Sequence, residues 1–456
     1  MPRRAIPPGP PPRPFVGNLI ELTRDPLGFM TACAHTYGDI SSYHVVHITS
    51  FLLNHPDHIQ AVLVDHNRDF AKGRLLNANR LLLGNGLATS EGEFWRGQRR
   101  LIQLAFHRQR IAAYGAVMVA YAERLAATWQ DSETLDLHDE MNRLAQQIAA
   151  RTLFDSDIDD TQEVGRAFKV CLEQFQARSR TAFLLPTEIP TPGNLRLNRA
   201  VRQLDGVIYR LIAARRAQGE DRGDLLSMLL AARDGDGQPL SDRQLRDEVM
   251  TIFLAGHDPV GVGLTWTGYL LATHPAVETR LLAELDTVLA GRVPGVEDLP
   301  RLPYTRMVIQ EALRLYPPIW GVVRRAVRDC EVGGYTLRAG DSAAMSQWIM
   351  HRDPRYYDTP DAFRPERWAE PRMQALPRFA YFPFGGGPRI CIGDAFAMQE
   401  LCLVTATLVP RFHLSLVEPG PVELLPSITL RPKNGLRVRV TTRRSAADSN
   451  RRLKKV

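Results

Sequence analysis

Residues 384–393 read F-G-G-G-P-R-I-C-I-G, and a strongly helical pattern, D-A-F-A-M-Q-E, begins directly after them at Asp394. Three consecutive glycines allow the backbone to take conformations closed to other residues and to approach a flat ligand closely. Cys391 stands just before the helix N-terminus, where the dipole and unpaired N–H groups favour a thiolate. The stretch therefore predicts a metal-binding cysteine. The alternative is a buried structural cysteine beside a glycine-rich turn.

The fixed positions of this stretch match F-x-x-G-x-R-x-C-x-G, and in this the chain resembles the cytochrome P450 superfamily, whose heme-ligand loop has that pattern. The resemblance implies heme b with Cys391 as the iron ligand. It also implies a mainly α fold, a large helical bundle with a small β-sheet region on the N-terminal side. Arg389 is expected to neutralise an acidic group of the cofactor and Phe384 to cover the sulfur. Gly385 and Gly393 complete the expected contacts of the loop with the heme.

An E-x-x-R pair lies at Glu311 and Arg314, 80 residues before Cys391. Alone it indicates no more than a surface salt bridge, because the chain contains four other copies of this spacing. Its context is more specific, since F-R-P-E-R-W follows at 363–368. The resemblance implies that Arg367 joins the pair in a buried charge network. We assign these three residues to support of the heme loop and not to bond chemistry.

Two further places resemble the contacts that the family makes with the heme propionates. Trp95 and Arg99 are four residues apart, so an indole N–H and a guanidinium can point at the same carboxylate from one helix face. Arg324 resembles a second propionate contact, and its neighbour Arg325 is the competing candidate.

A long helix is predicted over 242–273, and its middle reads A-G-H-D-P from Ala255. The family pattern here is small-Gly-x-acid-Thr. Ala255, Gly256 and Asp258 agree with it, but Pro259 stands in place of the threonine whose hydroxyl helps to hold dioxygen and to pass protons. Proline also leaves the Ala255 carbonyl without its helical donor and is expected to kink the helix.

We therefore expect protons to be supplied by water ordered by Asp258 and the Ala255 carbonyl, or by a substrate hydroxyl. Two alternatives stay open, a peroxide-using catalyst and a reaction that needs little oxygen activation. A peroxide-using branch of the family also has proline here, but pairs it with arginine at the position of Asp258. His257 is expected to turn away from the metal.

The resemblance assigns a mostly aliphatic substrate pocket, which favours an apolar substrate. The residues expected to line it are Ala88, Ile319 and Ile428 near the heme, and Leu75, Leu81, Phe183 and Leu184 at the entrance. The motif G-N-G-L-A-T-S at 84–90 is similar to that of bacterial fatty-acid hydroxylase heme domains. Against a fatty acid, the predicted strand region 40–53 lacks the arginine that those enzymes use to hold a carboxylate. Terpene, steroid-like and other natural-product scaffolds stay open.

No fused flavin or iron–sulfur module is expected, so the resemblance implies a ferredoxin or flavodoxin with its NAD(P)H reductase as electron donor. Four arginines near Trp95 form either a basic docking surface for that donor or a solvated helix face: Arg96, Arg100, Arg108 and Arg110. A heme-binding sensor is an alternative class, but it would not need the charge network. A P-loop or dinucleotide enzyme is disfavoured because the glycine clusters lack both signature motifs.

Composition and charge limit the remaining classes. The net charge is +7 over 456 residues, but the segment 443–456 alone contributes +5, so a nucleic-acid-binding surface is not indicated. Five unpatterned cysteines favour a reducing cytoplasm over a disulfide framework. No apolar stretch resembles a signal or a membrane span. We expect a cytoplasmic monomer with one P450 domain over 1–456, a proline-rich segment 1–20 and a flexible basic tail 443–456.

Periodicity and breaker residues predict a helix-dominated chain with short strands near both ends. The predicted helices are 94–106, 111–129, 137–153, 201–216, 242–273, 276–289, 304–315 and 394–409. The predicted strands are 40–48, 49–53, 322–327, 332–337 and 437–441.

Overall fold

A computed structural model of the chain describes residues 5–77, 79–155, 161–179, 186–233 and 237–443. Helices dominate this part of the chain. They are α1 Leu19–Arg24, α2 Pro26–Tyr37, α3 Pro56–Gln60, α4 Arg74–Asn77, α5 Arg80–Leu83, α6 Gly92–Gln103, α7 Arg108–Thr128, α8 Leu137–Phe154, α9 Thr161–Ser179, α10 Pro192–Gln218, α11 Leu225–Ala231, α12 Asp242–Thr273, α13 Pro275–Leu289, α14 Pro303–Leu315, α15 Gln347–Met350, α16 Pro371–Gln374 and α17 Asp394–Leu408.

The strands are short and form small sheets. They are β1 Ile40–Val45, β2 Ile48–Leu53, β3 Phe70–Lys72, β4 Thr134–Asp136, β5 Val322–Ala326, β6 Cys330–Val332, β7 Tyr335–Leu337, β8 Ser342–Met345, β9 Phe412–Leu416, β10 Leu424–Pro426, β11 Leu430–Pro432 and β12 Arg437–Thr442. The largest sheet has the order β1-β2-β8-β5-β3, with β2 and β8 parallel and the other pairs antiparallel. It joins the N-terminal region to the strands that follow α14.

The central helix α12 has the bounds that the sequence predicts. Ser241 caps it by accepting the N–H of Gln244 on its hydroxyl at 3.2 Å. Most of its length is buried, and it packs against α8, α10, α14 and α17. The helix continues through Pro259, which has no N–H to donate to the Ala255 carbonyl. Packing against the neighbouring helices thus allows α12 to continue through a proline that would end an isolated helix.

A buried charge network fastens α14 to the segment that follows α15. Arg314 donates to the two carboxylate oxygens of Glu311 at 2.8 and 2.9 Å, and Arg367 donates to Glu311 Oε1 at 2.8 Å. All three side chains are fully buried. The Trp368 indole also donates to Glu311 Oε2 at 2.9 Å. The grouping expected from the resemblance is therefore present, and burial excludes the surface salt bridge for this copy of E-x-x-R.

Several sequence predictions need correction. The strand predicted over 332–337 is a hairpin of β6 and β7, because Gly333 and Gly334 both have positive φ and reverse the chain between them. The first predicted strand ends at Val45, and a turn at Val46 separates it from β2. The helices α2 and α9 were not predicted. In the described part of the chain, no helix is both long and apolar enough to span a bilayer.

Candidate functional site

A cavity of about 1810 Å³ lies between α12 and the loop that precedes α17. Cys391 lies in its wall on one side. Residues 254–256 and 258–260 of α12 line it as well, with the loop that contains Leu87 and Ala88. The cavity thus brings together the cysteine loop and the part of α12 that contains the A-G-H-D-P sequence.

The glycines of the cysteine loop are required by close packing. A Cβ atom on Gly386 would overlap the ring of Phe379, and one on Gly387 would overlap the carbonyl oxygen of Leu63. Gly387 also has φ of +67°, which disfavours any side chain. The backbone N–H of Cys391 donates to the Phe384 carbonyl at 3.0 Å. These contacts hold the sulfur at a fixed place in the cavity wall.

Cys391 differs from the other four cysteines in its exposure. It is accessible from the cavity, whereas Cys33, Cys171, Cys330 and Cys402 are buried. The site nevertheless lies deep in the protein, so desolvation raises the pKa of the Cys391 thiol, while a hydrogen bond from the Gly393 backbone acts in the opposite direction. A thiolate here needs a cation as its partner, which a bound metal would provide.

A second group of possible metal ligands lies outside the cavity wall. Ligand atoms of His66, Asp69 and Cys330 lie within 4.8 Å of one another. Arg328 already donates to the Asp69 carboxylate at 2.5 Å, and Cys330 lies on β6 with a buried thiol. None of these three residues lines the large cavity, so Cys391 is the better candidate to hold a large planar cofactor.

Cations converge on the cavity beside the cysteine loop. Lys72 Nζ donates to the carbonyls of Leu87 at 2.7 Å and Ser90 at 3.2 Å, and Arg389 Nη1 donates to the same Ser90 carbonyl at 3.2 Å. Arg389 also pairs with Glu91. The guanidinium of Arg389 lies over the Trp95 ring, 4.1 Å from its centroid.

The charges of this cluster do not balance among the protein groups. Burial lowers the pKa of Lys72 to about 7, and that of Arg324 to about 10 with a further contribution from Arg389. Glu91 is the carboxylate that faces these three cations, and the pKa of Glu248 behind Lys72 is raised to about 8, chiefly by burial. Three basic groups thus face one carboxylate, and this excess of basic groups fits a ligand with carboxylates such as the propionates of heme.

Arg99 makes a contact that the sequence analysis did not anticipate. Its Nη1 donates to the carbonyl of Ile390 at 2.8 Å, next to Cys391. The same side chain still lines the cavity, as do Trp95, Arg324, Phe384, Gly385 and Gly393. Arg324 is the member of the Arg324–Arg325 pair that faces the cavity.

Asp258 on α12 is held by two residues near the C-terminus. The Thr429 hydroxyl donates to Asp258 Oδ2 at 2.9 Å, and Arg431 pairs with Oδ1. Arg431 Nε in turn donates to the Thr429 hydroxyl at 2.9 Å. Asp258 was expected to act with water and the Ala255 carbonyl. The structure adds a largely buried ion pair with Arg431, so any proton supply through Asp258 includes Thr429 and Arg431 as its neighbours.

His257 lies on a different face of α12. Its Nδ1 is 2.6 Å from the Phe253 carbonyl, and its ring packs against Phe253 and Phe168. It is absent from the cavity wall, in agreement with the expectation that it turns away.

The expected substrate pocket is found in part. Ala88, Ile319 and Ile428 line the cavity, whereas Leu81 packs into the main hydrophobic core instead. Phe183 and Leu184 lie outside the described residues, as does the side chain of Leu75. Apolar residues that the sequence analysis missed complete the wall: Leu76, Leu83, Leu153, Phe175, Ile252 and Leu254.

A comparison with protein-family models matches residues 7–438 to the model "Cytochrome P450". The chain belongs to the cytochrome P450 family. The family is one of heme-thiolate monooxygenases, and its cofactor is heme b held by a cysteine thiolate. The charge excess and the cavity cysteine described above fit that cofactor.

Two curated P450 relatives cover nearly the whole chain. One is cyclooctat-9-en-7-ol 5-monooxygenase of Streptomyces melanosporofaciens, 39% identical over 89% of each chain. Another is pentalenene oxygenase of Streptomyces avermitilis, 36% identical over 94% of this chain and 96% of that one. Among solved structures, the retinoic-acid-bound cyanobacterial CYP120A1 superposes with a TM-score of 0.87 and 27% identity, over 96% of this chain and all of that one. The fold of this P450 is therefore the family fold.

Three functional candidates were missed from the sequence: Lys72, Thr429 and Arg431. Lys72 stands in a three-residue strand with no motif to single it out. Thr429 and Arg431 carried a weak signal, because alternate residues of an extended segment point to the same side. That signal gave no hint of α12 as the partner.

Proposed function

We propose that this P450 inserts one oxygen atom of O2 into a C–H or C=C bond of a polycyclic terpene-type substrate, with Cys391 as the heme ligand. The observation that carries the proposal is the cavity itself, which places the one accessible cysteine opposite α12 and beside an unbalanced cationic cluster. When bound, the heme supplies the activation of O2, and the thiolate favours O–O cleavage.

The substrate class follows from the walls and from the relatives. Most of the cavity surface is apolar, which favours binding of an apolar substrate, and basic side chains such as Arg24 and Arg74 make up a smaller part of the wall. The relatives named above act on pentalenene and on cyclooctat-9-en-7-ol. The likeness to fatty-acid hydroxylases has less support, because β1 and β2 contain no arginine to hold a carboxylate.

The reaction consumes O2, two electrons and two protons and yields the oxidised product and one water. We infer that the electrons come from a separate ferredoxin or flavodoxin served by an NAD(P)H reductase. Support comes from α6 and the start of α7, where Arg96, Arg100 and Arg108 are exposed beside the exposed apolar side chains of Phe94 and Leu104. Arg110 is less available, because it is half-buried and donates to the Gly223 carbonyl.

The chain's own residues divide the work. Lys72, Arg324 and Arg389 would hold the propionates, and the apolar wall excludes water and orients the substrate. Asp258, paired with Arg431 and Thr429, is the acid nearest the missing threonine and is the group we assign to proton supply.

The reduced, carbonyl-bound absorption spectrum tests the heme-thiolate assignment, and a screen of terpenes for spin-state shifts tests the substrate class. Turnover is then measured as NADPH consumed, product formed and peroxide released. Oxygenated terpene product with a reconstituted ferredoxin supports the proposal. A normal spectrum with reversible gas binding and no turnover with any donor would instead indicate a sensor.

The substitution of threonine by Pro259 favours a second candidate, a catalyst that uses peroxide or needs little oxygen activation. Asp258 occupies the position at which the peroxide-using branch has arginine, so the monooxygenase is preferred. Pro259→Thr decides between impaired and intact proton supply. If the natural chain releases peroxide and the variant releases less, supply is impaired. Tight coupling in both proteins would contradict impairment.

A further inference from the structure

Besides the cations near the cysteine loop, the cavity wall contains an acidic side chain on α12, that of Asp258. Asp258 and Thr429 both contribute to the wall, and the apolar side chains of Ile428 and Val260 flank them. The Asp258 carboxylate is buried, and Arg431 behind it supplies the compensating charge. A carboxylate in this position does not favour the binding of a hydrocarbon, because apolar contacts cannot satisfy the hydrogen-bonding capacity of its oxygen atoms.

The hydrogen bonds of Asp258 and Thr429 leave room for a further hydrogen-bond donor but not for a further acceptor. An ionised carboxylate can accept about four hydrogen bonds. Asp258 accepts from the Thr429 hydroxyl on Oδ2 and from Arg431 on Oδ1. The Thr429 hydroxyl donates its proton to Asp258 and accepts from Arg431 Nε. The pair therefore has spare acceptor capacity and no spare hydroxyl proton, so it is suited to a ligand that donates.

Pro259, the residue after Asp258, brings no side-chain hydroxyl to this part of the cavity. Pro259 follows Asp258 on α12 and lines the same cavity, yet it has neither a hydroxyl nor an N–H. The residue after Asp258 therefore offers no hydroxyl that could accept a proton and pass it on. A hydroxyl on the substrate has that property, since it offers one donor and two acceptor sites.

We propose that this P450 acts on an apolar polycycle that already carries a hydroxyl group, and that this hydroxyl donates to Asp258 and takes the place of the side-chain hydroxyl that Pro259 lacks. The inference rests on the proposed function and makes it more specific. It assigns two tasks to one contact: orientation of the ring system, and relay of protons, in which the hydroxyl gives its proton to the reacting oxygen and regains one that Asp258 has taken up from solvent. An earlier hydroxylation or a water-quenched cyclisation is the class of reaction that must supply such a substrate.

Equilibrium binding to the holoprotein tests the orientation task without turnover. Cedrol, its methyl ether and the parent hydrocarbon cedrane share one skeleton, and only cedrol can donate a hydrogen bond. After correction for their partition into octanol, cedrol should bind about tenfold more tightly than the ether, as expected for a hydrogen bond to a charged group. Equal corrected affinities of cedrol and the ether would overturn the inference.

A double variant, Asp258→Leu with Arg431→Met, removes the ion pair and keeps apolar volume. It should lose the preference for cedrol and keep its affinity for cedrane within about twofold. Thr267→Val is the matched control, because it removes a buried hydroxyl of α12 that bonds only to the Gly263 carbonyl outside the cavity. Persistence of the cedrol preference in the double variant contradicts the assigned contact.

Peroxide release tests the proton task. The natural chain should release several-fold less peroxide per NADPH with cedrol than with the ether, and Pro259→Thr should reduce peroxide with the ether while changing little with cedrol. If all three compounds bind and turn over with equal coupling, the hydroxyl inference fails and the proposed function stands. If none of them binds, the terpene-type substrate class fails with it.

Discussion

Glu248 on α12 accepts the backbone N–H of Leu87 at 2.8 Å, across 161 positions of the chain. Its neighbour Asp247 accepts the N–H of Asn85 at 2.8 Å. Two adjacent carboxylates thus fix the loop that covers the cavity to the central helix. Glu248 is fully buried, and its second oxygen atom has no hydrogen-bond partner within the described structure.

Glu248→Gln should alter how stability depends on pH. Burial raises the pKa of Glu248 to about 8 from its usual 4.5, so the folded state holds a proton that the unfolded state releases. The stabilisation is complete below pH 4.5 and is lost as pH rises towards 8. Since one pKa unit corresponds to about 1.4 kcal/mol, Glu248 should cost the protein roughly 2 kcal/mol between pH 5 and pH 7.

Gln keeps the acceptor for Leu87 but does not titrate. The variant should therefore lose less unfolding free energy than the natural chain over the same interval, as measured by urea unfolding at the two pH values. Identical pH slopes for the two proteins would show that Glu248 is ionised in the fold. Comparing the two slopes cancels other titrating groups, including His138, whose pKa burial lowers to about 4.

Cys391→Ala should abolish the heme-thiolate absorption of the reduced, carbonyl-bound protein, because the thiolate is the donor that gives the family its spectrum. Cys330→Ala is the matched control, since Cys330 is the cysteine of the other possible metal-ligand group. It should leave the spectrum unchanged. The reverse outcome would assign the ligand to β6 and refute the site described above.

Lys72→Met should weaken heme binding by about tenfold or more, since a buried cation that faces an anion contributes roughly 1.5–3 kcal/mol. The rate of heme transfer to apomyoglobin measures this effect directly. Lys169→Met, at an exposed position on α9, should transfer heme at the natural rate. Unchanged transfer from the Lys72 variant would mean that the propionates are held without it.

Arg367→Ala should destabilise the fold by about 3–5 kcal/mol, because it leaves the fully buried Glu311 with one guanidinium instead of two. Chemical denaturation of the holoprotein measures the loss. Arg280→Ala breaks a pair with Glu366 in which the arginine is largely exposed, and should cost under about 1 kcal/mol. Similar losses in both variants would argue that the network has no special role.

Local pattern was sufficient for the parts of the molecule that are encoded by nearby residues. The bounds of α12 match the predicted range 242–273, and the cysteine loop follows from glycines at fixed spacing. The pairing of Glu311 with Arg314 is also local, being one helical turn. These features needed no knowledge of the rest of the chain beyond the resemblance.

Contacts between distant segments were beyond this reasoning. Thr429 and Arg431 meet Asp258 across more than 170 residues, and one sequence contains no sign of that pairing. Lys72 is buried only because β3 pairs with β5 next to the 84–91 loop. The hairpin of β6 and β7 was predicted as one strand, although Gly333 and Gly334 in its middle are residues that permit a chain reversal.

The crowding around Gly386 and Gly387 has a consequence for anyone who would redesign this catalyst. Both positions have backbone or ring atoms where a side chain would begin, so libraries that randomise the cysteine loop will consist largely of misfolded proteins. Variation is better directed at Phe175, Ile252 and Ile428, whose side chains line the space for substrate. Substitutions there leave the cysteine loop unchanged.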